Sequence, residues 1–328
     1  MKIAVLGAGA WGTAVAILLA ERHDVALWAR DAAQCAAMRA ARRNERYLSG
    51  FTLPGAIQIT DDLANAVSGC GIALVAVTTA GLRETLRRCR ETRAEAPVIW
   101  LCKGFEREQA KLPHQVCAEE LGADARCGVL SGPSFAEEVA RGQPTAVTLA
   151  STDAALAREA TRELHGTALR VYSSTDVIGV EVAGAVKNVM AIAAGICDGL
   201  RLGNNARAAL ITRGLAEITR LGVALGGRTE TFMGLAGAGD LILTCTGELS
   251  RNRRVGLKLA QGTPLAEILA HLGHVAEGVY TAHEVARLAR SRNVDMPITR
   301  AVCRVLAEPA AAPVAVKELL EREPKSEY

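Results

Sequence analysis

The chain has 328 residues, of which half are hydrophobic, 22% are charged and only 3% are aromatic, and its formal net charge is +3. This composition is that of a globular protein rather than a disordered one, and a length above about 250 to 300 residues favours two domains over a single hydrophobic core. Because the charge is nearly balanced and no five basic residues follow one another, the sequence does not support a nucleic-acid-binding surface, whereas small acidic ligands remain compatible with it.

The cysteines and the N-terminus bear on location. Nine cysteines are scattered along the chain without a CxxC pair, so we expect a reducing, cytoplasmic compartment. The uncharged run from Ile3 to Ala20 is long enough to resemble a signal peptide or a membrane span. Gly7, Gly9 and Gly12 interrupt this run, and its two halves have different periods, so we predict no membrane span.

The first half of the chain alternates between predicted strands and helices. Residues 2–6 form an apolar strand that ends at Gly7, Gly12–Glu21 reads as a helix, and Asp24–Trp28 is a second strand. Further strands are predicted at Ile72–Val77, Val98–Leu101, Cys127–Leu130, Ala146–Ala150 and Val171–Tyr172, and further helices at Gly81–Cys89, Ala110–Leu121 and Asp153–Leu164. This alternation predicts a Rossmann-like α/β domain with a mostly parallel sheet over residues 1–174.

Beyond about Thr175 the strand-like runs disappear and the helical period dominates. Helices are predicted at Val180–Leu200, Ala206–Leu221, Val255–Ala260 and Val279–Ser291. We therefore predict that residues 175–328 form an all-helical domain for substrate binding and catalysis, with a polar, frayed tail at Glu321–Tyr328.

The glycines at the end of the first strand form a GxGxxG motif. Gly7 permits the tight turn, Gly9 lets the backbone approach a pyrophosphate, and Gly12 allows close packing of helix on strand. The phosphate then lies at the positive end of the helix dipole. Because the motif follows a strand and opens a helix, it predicts dinucleotide binding rather than a purely structural turn.

The second strand ends without the carboxylate that usually binds the ribose 2′-hydroxyl of NAD. It is followed by Arg30, which can pair with a 2′-phosphate, so we expect NADP(H) to be preferred and NAD(H) to be accepted. Two alternatives stay open, because Arg30 can be an ordinary solvated arginine and Asp31 can act on the ribose.

Two loops follow predicted strands of the sheet. Lys103 lies just past the strand that ends at Leu101, where ligands bind in open α/β folds. The segment Ser131–Ala136, which includes Gly132 and Ser134, can present hydroxyl and N–H groups to an anion. Loops that merely turn the chain are the alternative for both.

One lysine lies in the most apolar predicted helix. Small and apolar residues share the face of Lys187, which leaves room for a ligand beside the ammonium group and little water. A lysine that extends its charge to solvent from a packed helix is the alternative.

A second glycine cluster, residues 237–239, precedes Asp240. No β-branched strand leads into this cluster, so we interpret it as a bend that exposes Asp240 rather than as a dinucleotide loop. We expect Ser250 to cap a helix that carries Arg251 and Asn252 in its first turn, where a phosphate would meet a cation, an amide and helix N–H groups. A charged helix start on the surface is the competing interpretation.

Together these segments resemble the bacterial NAD(P)-dependent glycerol-3-phosphate dehydrogenases over essentially the whole chain. The likeness is carried by GAGAWGTA (7–14), LCKGFE (101–106), SGPSFAEEVA (131–140), VAGAVKNVMAIAAGICDGL (182–200), GLAGAGDLILTCTGELSRNRRVG (234–256) and VAEGVYTA (275–282). The resemblance implies reduction of dihydroxyacetone phosphate to sn-glycerol 3-phosphate, which supplies the backbone of glycerophospholipids.

The resemblance also implies roles for individual residues. Lys187 is the general acid/base by this resemblance. The residues implied to surround the triose phosphate are Lys103, Gly132, Ser134, Lys187, Asn188, Asp240, Thr244, Ser250, Arg251 and Asn252. The residues implied to contact the nucleotide are Gly7, Gly9, Ala10, Trp11, Gly12, Arg30, Lys103, Ala136, Arg251, Val275 and Glu277.

Two other functions are compatible with parts of the sequence, and a metal enzyme is not supported. A related dehydrogenase acting on a 3-hydroxy acid or a ketopantoate-like substrate is the nearest rival, and a nucleotide-sensing protein without chemistry is another. His271 and His274 lack a ligand set around them, so we predict no metal. The sequence leaves the oligomeric state open, with a homodimer as one option.

Overall fold

A computed structural model describes residues 1–93, 95–272 and 276–323, and it divides the chain into two units, Met1–Glu181 and Val182–Tyr328. The described strands all lie in the first unit. They are β1 (Lys2–Leu6), β2 (Asp24–Trp28), β3 (Arg43–Asn44), β4 (Leu48–Thr52), β5 (Gln58–Thr60), β6 (Ile72–Val75), β7 (Val98–Trp100), β8 (Cys127–Ser131), β9 (Thr145–Ala150) and β10 (Leu169–Ser174).

Eight of these strands form one sheet in the order β10-β9-β8-β7-β6-β1-β2-β5. Every neighbouring pair is parallel except β8 and β9, which run antiparallel. All residues of β6 and β7 are buried, as expected for strands covered on both faces. The predicted Rossmann-like, mostly parallel sheet is therefore confirmed.

Helices connect the strands of the first unit. They are α1 (Ala10–Leu19), α2 (Ala32–Ala41), α3 (Leu63–Val67), α4 (Thr79–Glu91), α5 (Pro113–Leu121), α6 (Ala136–Ala140) and α7 (Ala154–Leu164). The first helix begins two residues before the predicted Gly12, because Gly9 already serves as its N-cap. The fifth begins at Pro113 rather than at Ala110, since Ala110 has a φ of +50° and a proline suits the first helical position.

The regular secondary structure described in the second unit is all helical, as predicted. Helix α8 crosses the boundary between the two units in the sequence, because it begins at Val177 and the second unit begins at Val182. The helices are α8 (Val177–Gly199), α9 (Gly203–Ala224), α10 (Thr229–Met233), α11 (Asp240–Thr246), α12 (Arg251–Ala260), α13 (Leu265–Leu272), α14 (Glu277–Ser291), α15 (Pro297–Ala307) and α16 (Ala312–Leu320). A π-helical turn, Leu235–Gly239, joins α10 to α11.

Among the described helices, α8 alone has the length and apolar composition to cross a membrane. Within its most apolar window, 89% of the residues are buried inside the protein, which is the pattern of a core helix.

Candidate active site

Among the three glycines of the GxGxxG motif, Gly9 has open space where a side chain would project. Gly7 has a φ of +124°, and a Cβ there would lie 2.8 Å from the carbonyl of Ala76. A Cβ on Gly12 would lie 2.0 Å from the carbonyl oxygen of Gly7, so both glycines are required by the packing of the protein itself. A Cβ on Gly9 would meet nothing within 4 Å. The backbone at Gly9 and the start of α1 therefore leave space of the kind a pyrophosphate needs.

Two amide side chains hold this loop in place. Gln34 on α2 and Asn44 on β3 donate hydrogen bonds to the carbonyl oxygen of Ala8 over 2.9 and 3.0 Å, and Asn44 also donates to Thr13 over 2.7 Å. The sequence analysis missed both residues. Asn44 is 1% exposed, but it lies in a polar stretch without periodicity, so the sequence around it does not indicate that it is buried.

The predicted nucleotide residues beside the loop are accessible. Ala10 and Trp11 begin α1 and are half-buried, and Arg30 is exposed just beyond β2. The neighbouring carboxylate of Asp31 caps α2 by accepting hydrogen bonds from the N–H groups of Ala33 and Gln34 over 2.9 and 3.3 Å. Arg30 and Asp31 are thus both exposed at the end of β2, with Oδ1 of Asp31 engaged in the cap of α2.

Lys103, Gly132 and Ser134 come together beyond the carboxyl ends of β7 and β8. The carbonyl oxygen of Gly132 accepts hydrogen bonds from Nζ of Lys103 over 3.0 Å and from Oγ of Ser134 over 2.9 Å. Gly132 has a φ of +151°, and a Cβ there would lie 2.9 Å from Cα of Val147. Ala136 follows as the half-buried first residue of α6. The loops that the sequence analysis selected separately thus form one cluster.

Lys187 lies in the middle of α8, and its ammonium group is buried. The residue is 6% exposed, and Nζ donates hydrogen bonds to Oδ1 of Asp240 and, over 2.9 Å, to Oγ1 of Thr244. Thr244 donates in turn to the backbone carbonyl of Asp240 over 2.6 Å. The alternative in which Lys187 extends its charge to solvent is therefore wrong.

The predicted bend that exposes Asp240 is also wrong. Asp240 is 1% exposed and is the first residue of α11, directly after the π-helical turn. A Cβ on Gly237 would lie 2.0 Å from the carbonyl oxygen of Phe232, so the glycines let the turn close tightly on α10. The turn points Asp240 inward at Lys187, and such π-helical turns are frequent at functional sites.

Helices α8 and α12 cross with their backbones in contact. A Cβ on Gly195 would lie 2.0 Å from the carbonyl oxygen of Arg253, and a Cβ on Gly256 would lie 2.0 Å from that of Ile192. Any side chain at either glycine would push the two helices apart. The crossing therefore fixes the start of α12 against the helix that carries Lys187.

Two asparagines join three helices beside this crossing. Nδ2 of Asn252 donates to Oδ1 of Asn188, the residue after Lys187, over 2.9 Å. Oδ1 of Asn252 accepts from the N–H group of Gly278 at the start of α14 over 3.1 Å. Glu277, the half-buried first residue of α14, lies next to this bond, whereas Val275 lies outside the described residues.

The start of α12 carries the predicted cap. Oγ of Ser250 accepts a hydrogen bond from the N–H group of Arg253 over 3.3 Å, which confirms Ser250 as the N-cap. Arg251 is the first helical residue and is exposed, while Asn252 beside it is buried. The first turn thus offers a cation and helix N–H groups to an anion.

Asp198 at the end of α8 ties α12 and α9 together. Its Oδ2 accepts hydrogen bonds from Nε and Nη2 of Arg253 over 2.8 and 2.7 Å, and its Oδ1 accepts from Arg207 over 3.1 Å. The side chains of Asp198 and Arg253 are only 14% exposed. The sequence analysis did not identify this network, because its members are separated by up to 55 residues.

Metal-ligating side chains do not cluster in the part of the chain that the structure describes. No three His, Cys, Asp or Glu side chains there are close enough together to hold an ion. His271 is exposed and its Nδ1 lies 2.8 Å from the carbonyl oxygen of Glu267.

Sequence comparisons give one consistent result. The model of the NAD-dependent glycerol-3-phosphate dehydrogenase N-terminus matches residues 2–157, and the model of the C-terminus matches residues 176–317. The NAD(P)+ glycerol-3-phosphate dehydrogenase of Dechloromonas aromatica (strain RCB) is 59% identical over 327 residues, which cover 100% of this chain and 99% of the relative.

Comparison with solved structures agrees. The crystal structure of glycerol-3-phosphate dehydrogenase from Coxiella burnetii superimposes with a TM-score of 0.93 at 44% identity, covering 98% of this chain and 99% of that one. A ketopantoate reductase from Ralstonia eutropha JMP134 has a TM-score of 0.59 at 17% identity over 98% of this chain and 100% of that one, which is a likeness of fold alone. On these matches, the chain belongs to the NAD-dependent glycerol-3-phosphate dehydrogenase family.

Proposed function

We propose that this protein is an NAD(P)-dependent sn-glycerol-3-phosphate dehydrogenase that reduces dihydroxyacetone phosphate to sn-glycerol 3-phosphate. The observation that carries the proposal is the buried ammonium group of Lys187, held by Asp240 and Thr244 in a chain of this family. We assign residues 1–174 to a dinucleotide-binding domain and residues 175–328 to a substrate-binding and catalytic domain, although by family resemblance some residues of each also contact the other ligand.

The glycine loop fits the dinucleotide. The open position at Gly9 and the first N–H groups of α1 suit the pyrophosphate, and Arg30 suits a ribose 2′-phosphate. When bound, the reduced nicotinamide supplies the hydride that the ketone carbon receives. By family resemblance, Lys103, Ala136, Arg251, Val275 and Glu277 also contact the nucleotide.

Lys187 supplies the proton for the reduction. Its ammonium group donates a hydrogen bond to the carbonyl oxygen and gives up a proton as that oxygen becomes an alkoxide; in the reverse direction the neutral amine accepts the hydroxyl proton. Asp240 orients the lysine before reaction by accepting a hydrogen bond from its ammonium group in this buried site.

The phosphate of the substrate is bound at the start of α12. Arg251 offers a charged fork, and the helix N-terminus adds backbone donors and a favourable dipole. Ser250 uses its oxygen as the cap acceptor and retains its hydroxyl hydrogen to donate. Asn188 and Asn252 line the same region, and Lys103, Gly132 and Ser134 complete the substrate contacts by family resemblance.

The deciding experiment is oxidation of NADPH by the purified protein with three ketones in parallel. Turnover of dihydroxyacetone phosphate at a kcat/KM at least about a hundredfold above that of ketopantoate or a 3-keto acid supports the proposal, since an unpaired phosphate site costs about 3 kcal/mol. Preferential turnover of ketopantoate would assign the protein to its nearest rival. Binding of NADPH without turnover of any ketone would assign it to a nucleotide sensor.

We infer further that the protein acts in the cytoplasm as a homodimer. Its nine cysteines are all free, which suits a reducing compartment. Large hydrophobic side chains of the second unit, among them Leu202, Val223, Met233 and Ile242, are 40 to 68% exposed, and a subunit contact would cover such side chains. The mass in solution, measured by light scattering, tests the dimer.

A further inference from the structure

Arg83 on α4 binds three carboxylates of the first unit. Its guanidinium group holds Glu106 through two hydrogen bonds, from Nε over 2.6 Å and from Nη2 over 2.9 Å. It also donates to Glu119 over 2.7 Å and to Glu120 over 2.8 Å, both on α5. The side chain of Arg83 is 24% exposed and that of Glu106 is 15% exposed, so solvent screens this ion pair less than a pair on the open surface.

Glu106 depends on Arg83, whereas the two glutamates of α5 each have a second cation. Nζ of Lys111 lies 2.5 Å from a carboxylate oxygen of the first of them, and Nη2 of Arg87 lies 3.3 Å from one of the second. Among the ion pairs of the described residues, Glu106 takes part only in the one with Arg83. Loss of Arg83 would therefore leave the carboxylate of Glu106 without a cation.

Glu106 belongs to the loop that carries Lys103. This loop, residues 101–112, connects β7 to α5. The N–H group of Glu106 donates a hydrogen bond to the carbonyl oxygen of Lys111 over 2.8 Å, which closes the turn between them. The guanidinium group of Arg83 thus attaches this turn to α4.

The same turn contains backbone conformations that need support. Glu108 and Ala110 have φ angles of +66° and +50°, in the left-handed region that residues other than glycine rarely adopt. Such conformations persist only where the surrounding contacts hold them. Glu106 lies at the start of the turn and Arg83 lies on a regular helix, so their ion pair is well placed to hold the turn in this conformation.

Lys103 lies just before this turn, at the sheet. Its Nζ donates a hydrogen bond to the carbonyl oxygen of Gly132 over 3.0 Å. Only two residues separate Lys103 from Glu106 in the chain, and one of them, Phe105, is 5% exposed. A displacement of Glu106 would therefore reach Lys103 through a short segment that is itself packed in the protein.

We propose that Arg83 is a positioning residue that acts through Lys103. By holding Glu106, it fixes the loop 101–112 so that the ammonium group of Lys103 stays beside Gly132, where the ligands bind. This inference rests on the proposed function, because the contacts of Lys103 with the nucleotide and the substrate are those implied by family resemblance. It requires that the effect of Arg83 on ligand binding disappear when Lys103 is absent.

The dissociation constant for NADPH, measured by fluorescence titration without a ketone, tests this role. Arg83→Met removes the charge and keeps a long side chain that suits a helix. We expect the constant to rise about fivefold or more, which is part of the roughly 10 to 150-fold that a charge-assisted contact is worth. Glu106→Gln should reproduce the rise. Arg83→Lys keeps the charge without the planar fork and should give a smaller rise.

A double-mutant cycle separates positioning from a purely structural role. Lys103→Met should raise the dissociation constant at least as much as Arg83→Met does, and Arg83→Met added to Lys103→Met should raise it by less than about twofold more. The control is Arg87→Met, which removes an arginine one turn later on α4. Arg87 pairs with Glu84 and Glu120 but not with Glu106, so this variant should leave the constant unchanged.

Two further measurements report the loop and the substrate. Amide hydrogen exchange of residues 102–112 in the full-length protein should be faster in Arg83→Met than in wild type or Arg87→Met, because the turn loses its attachment to α4. In turnover assays of Arg83→Met, KM for dihydroxyacetone phosphate should rise about fivefold or more, while kcat stays within about threefold of wild type.

The proposal is overturned if Arg83→Met leaves the dissociation constant for NADPH unchanged, or if Arg87→Met raises it equally. It is also overturned if Lys103→Met has no effect on this constant, or if Arg83→Met has the same effect with and without Lys103. The titration and the exchange measurement need no ketone. A protein that follows the cycle for NADPH but turns over no triose phosphate would therefore contradict the proposed dehydrogenase activity and not the role of Arg83.

Discussion

Lys187 and Asp240 form a buried ion pair, in which the lysine side chain is 7% exposed and the aspartate side chain 1%. Removing one partner of such a pair destabilises the folded protein by about 3 to 5 kcal/mol, because the other charge stays buried without its partner. Variants at either position therefore combine a chemical effect with a structural one, and the two effects have to be separated.

Replacing Lys187 by alanine is expected to lower kcat by about 10² to 10⁴-fold, the usual contribution of a general acid. In the proposed mechanism Lys187 acts on the carbonyl oxygen and not on the nucleotide, so the dissociation constant for NADPH should stay within about threefold of wild type, well under the tenfold that 1.4 kcal/mol would produce. Steady-state turnover of dihydroxyacetone phosphate and fluorescence titration with NADPH measure the two quantities.

The double variant Lys187→Ala/Asp240→Asn is the control for the structural effect. It removes the unpaired carboxylate, so it should regain much of the thermal stability lost in the single variant without regaining turnover. If activity returns together with stability, Lys187 acts as a structural residue rather than as the acid. A single variant with more than about a tenth of the wild-type kcat would lead to the same conclusion.

Replacing Arg251 by alanine should mainly impair use of the phosphorylated substrate. A charge-assisted contact to phosphate is worth about 1.5 to 3 kcal/mol, which corresponds to roughly 10 to 150-fold in kcat/KM. Lys258 is exposed in the last turn of the same helix, and Lys258→Ala should leave kcat/KM nearly unchanged. Equal losses for dihydroxyacetone phosphate and for unphosphorylated dihydroxyacetone would show that Arg251 does not bind the phosphate.

The positions of the glycine motif and of the loops that follow β7 and β8 were predictable from the sequence, because they depend on neighbouring residues in the chain. Glycine spacing after a strand marks the turn, and the carboxyl ends of the neighbouring parallel strands β7 and β8 lie at the same edge of the sheet. Lys103 and Gly132 could therefore be placed in the same region from the sequence.

The features that sequence reasoning missed depend on distant contacts. The burial of Asp240 requires a lysine 53 residues away and a turn packed on Phe232. Asn44 lies in the two-residue strand β3 and donates a hydrogen bond to the carbonyl oxygen of Ala8, which is 36 residues away in the sequence. The reversed direction of β9 cannot be read from its hydrophobic run, because a buried strand has the same pattern in either direction.

Asp198 is expected to act as a positioning residue for the phosphate site. Asp198→Ala leaves Arg253 without its partner at the start of α12, so the helix N-terminus that carries Arg251 should shift. We expect KM for dihydroxyacetone phosphate to rise about 5 to 20-fold, or about 1 to 2 kcal/mol, while kcat changes less than about threefold. Asp295→Ala removes an exposed carboxylate paired with Arg300 and should change neither constant. A fall in kcat with KM unchanged would contradict a positioning role.

The carboxylate of Glu217 makes stability depend on pH. It accepts hydrogen bonds from the N–H groups of Ile298 and Thr299 in the first turn of α15 over 2.6 and 3.2 Å, and burial raises its pKa to about 7. The pKa of Glu217 in the folded state lies above its unfolded value of 4.5. Its contribution to the free energy of unfolding is therefore greatest below pH 4.5 and is lost as the pH rises through 7.

The Glu217→Gln variant isolates this effect, because glutamine does not titrate. The free energy of unfolding of the wild type, relative to that of the variant, should fall by roughly 3 kcal/mol between pH 4.5 and pH 8, since each pKa unit is worth about 1.4 kcal/mol. Urea unfolding at several pH values measures this difference. Parallel pH profiles for the two proteins would mean that the carboxylate titrates near its ordinary pKa.

The choice of cofactor tests the assignment of Arg30. Its side chain is exposed beyond β2, neither Trp28 nor Ala29 offers a carboxylate to the ribose, and Oδ1 of Asp31 is engaged in the cap of α2, so a cation is available to a 2′-phosphate. We expect NADPH to be preferred over NADH by about tenfold or more, the lower end of a charge-assisted hydrogen bond. Arg30→Ala should remove most of this preference by weakening the use of NADPH alone, whereas Arg162→Ala, at an exposed position of α7, should not. The measurement is kcat/KM for both cofactors in the three proteins. Equal efficiencies in the wild type, or a ratio that Arg30→Ala leaves unchanged, would show that Arg30 is an ordinary surface arginine and that the ribose is recognised elsewhere.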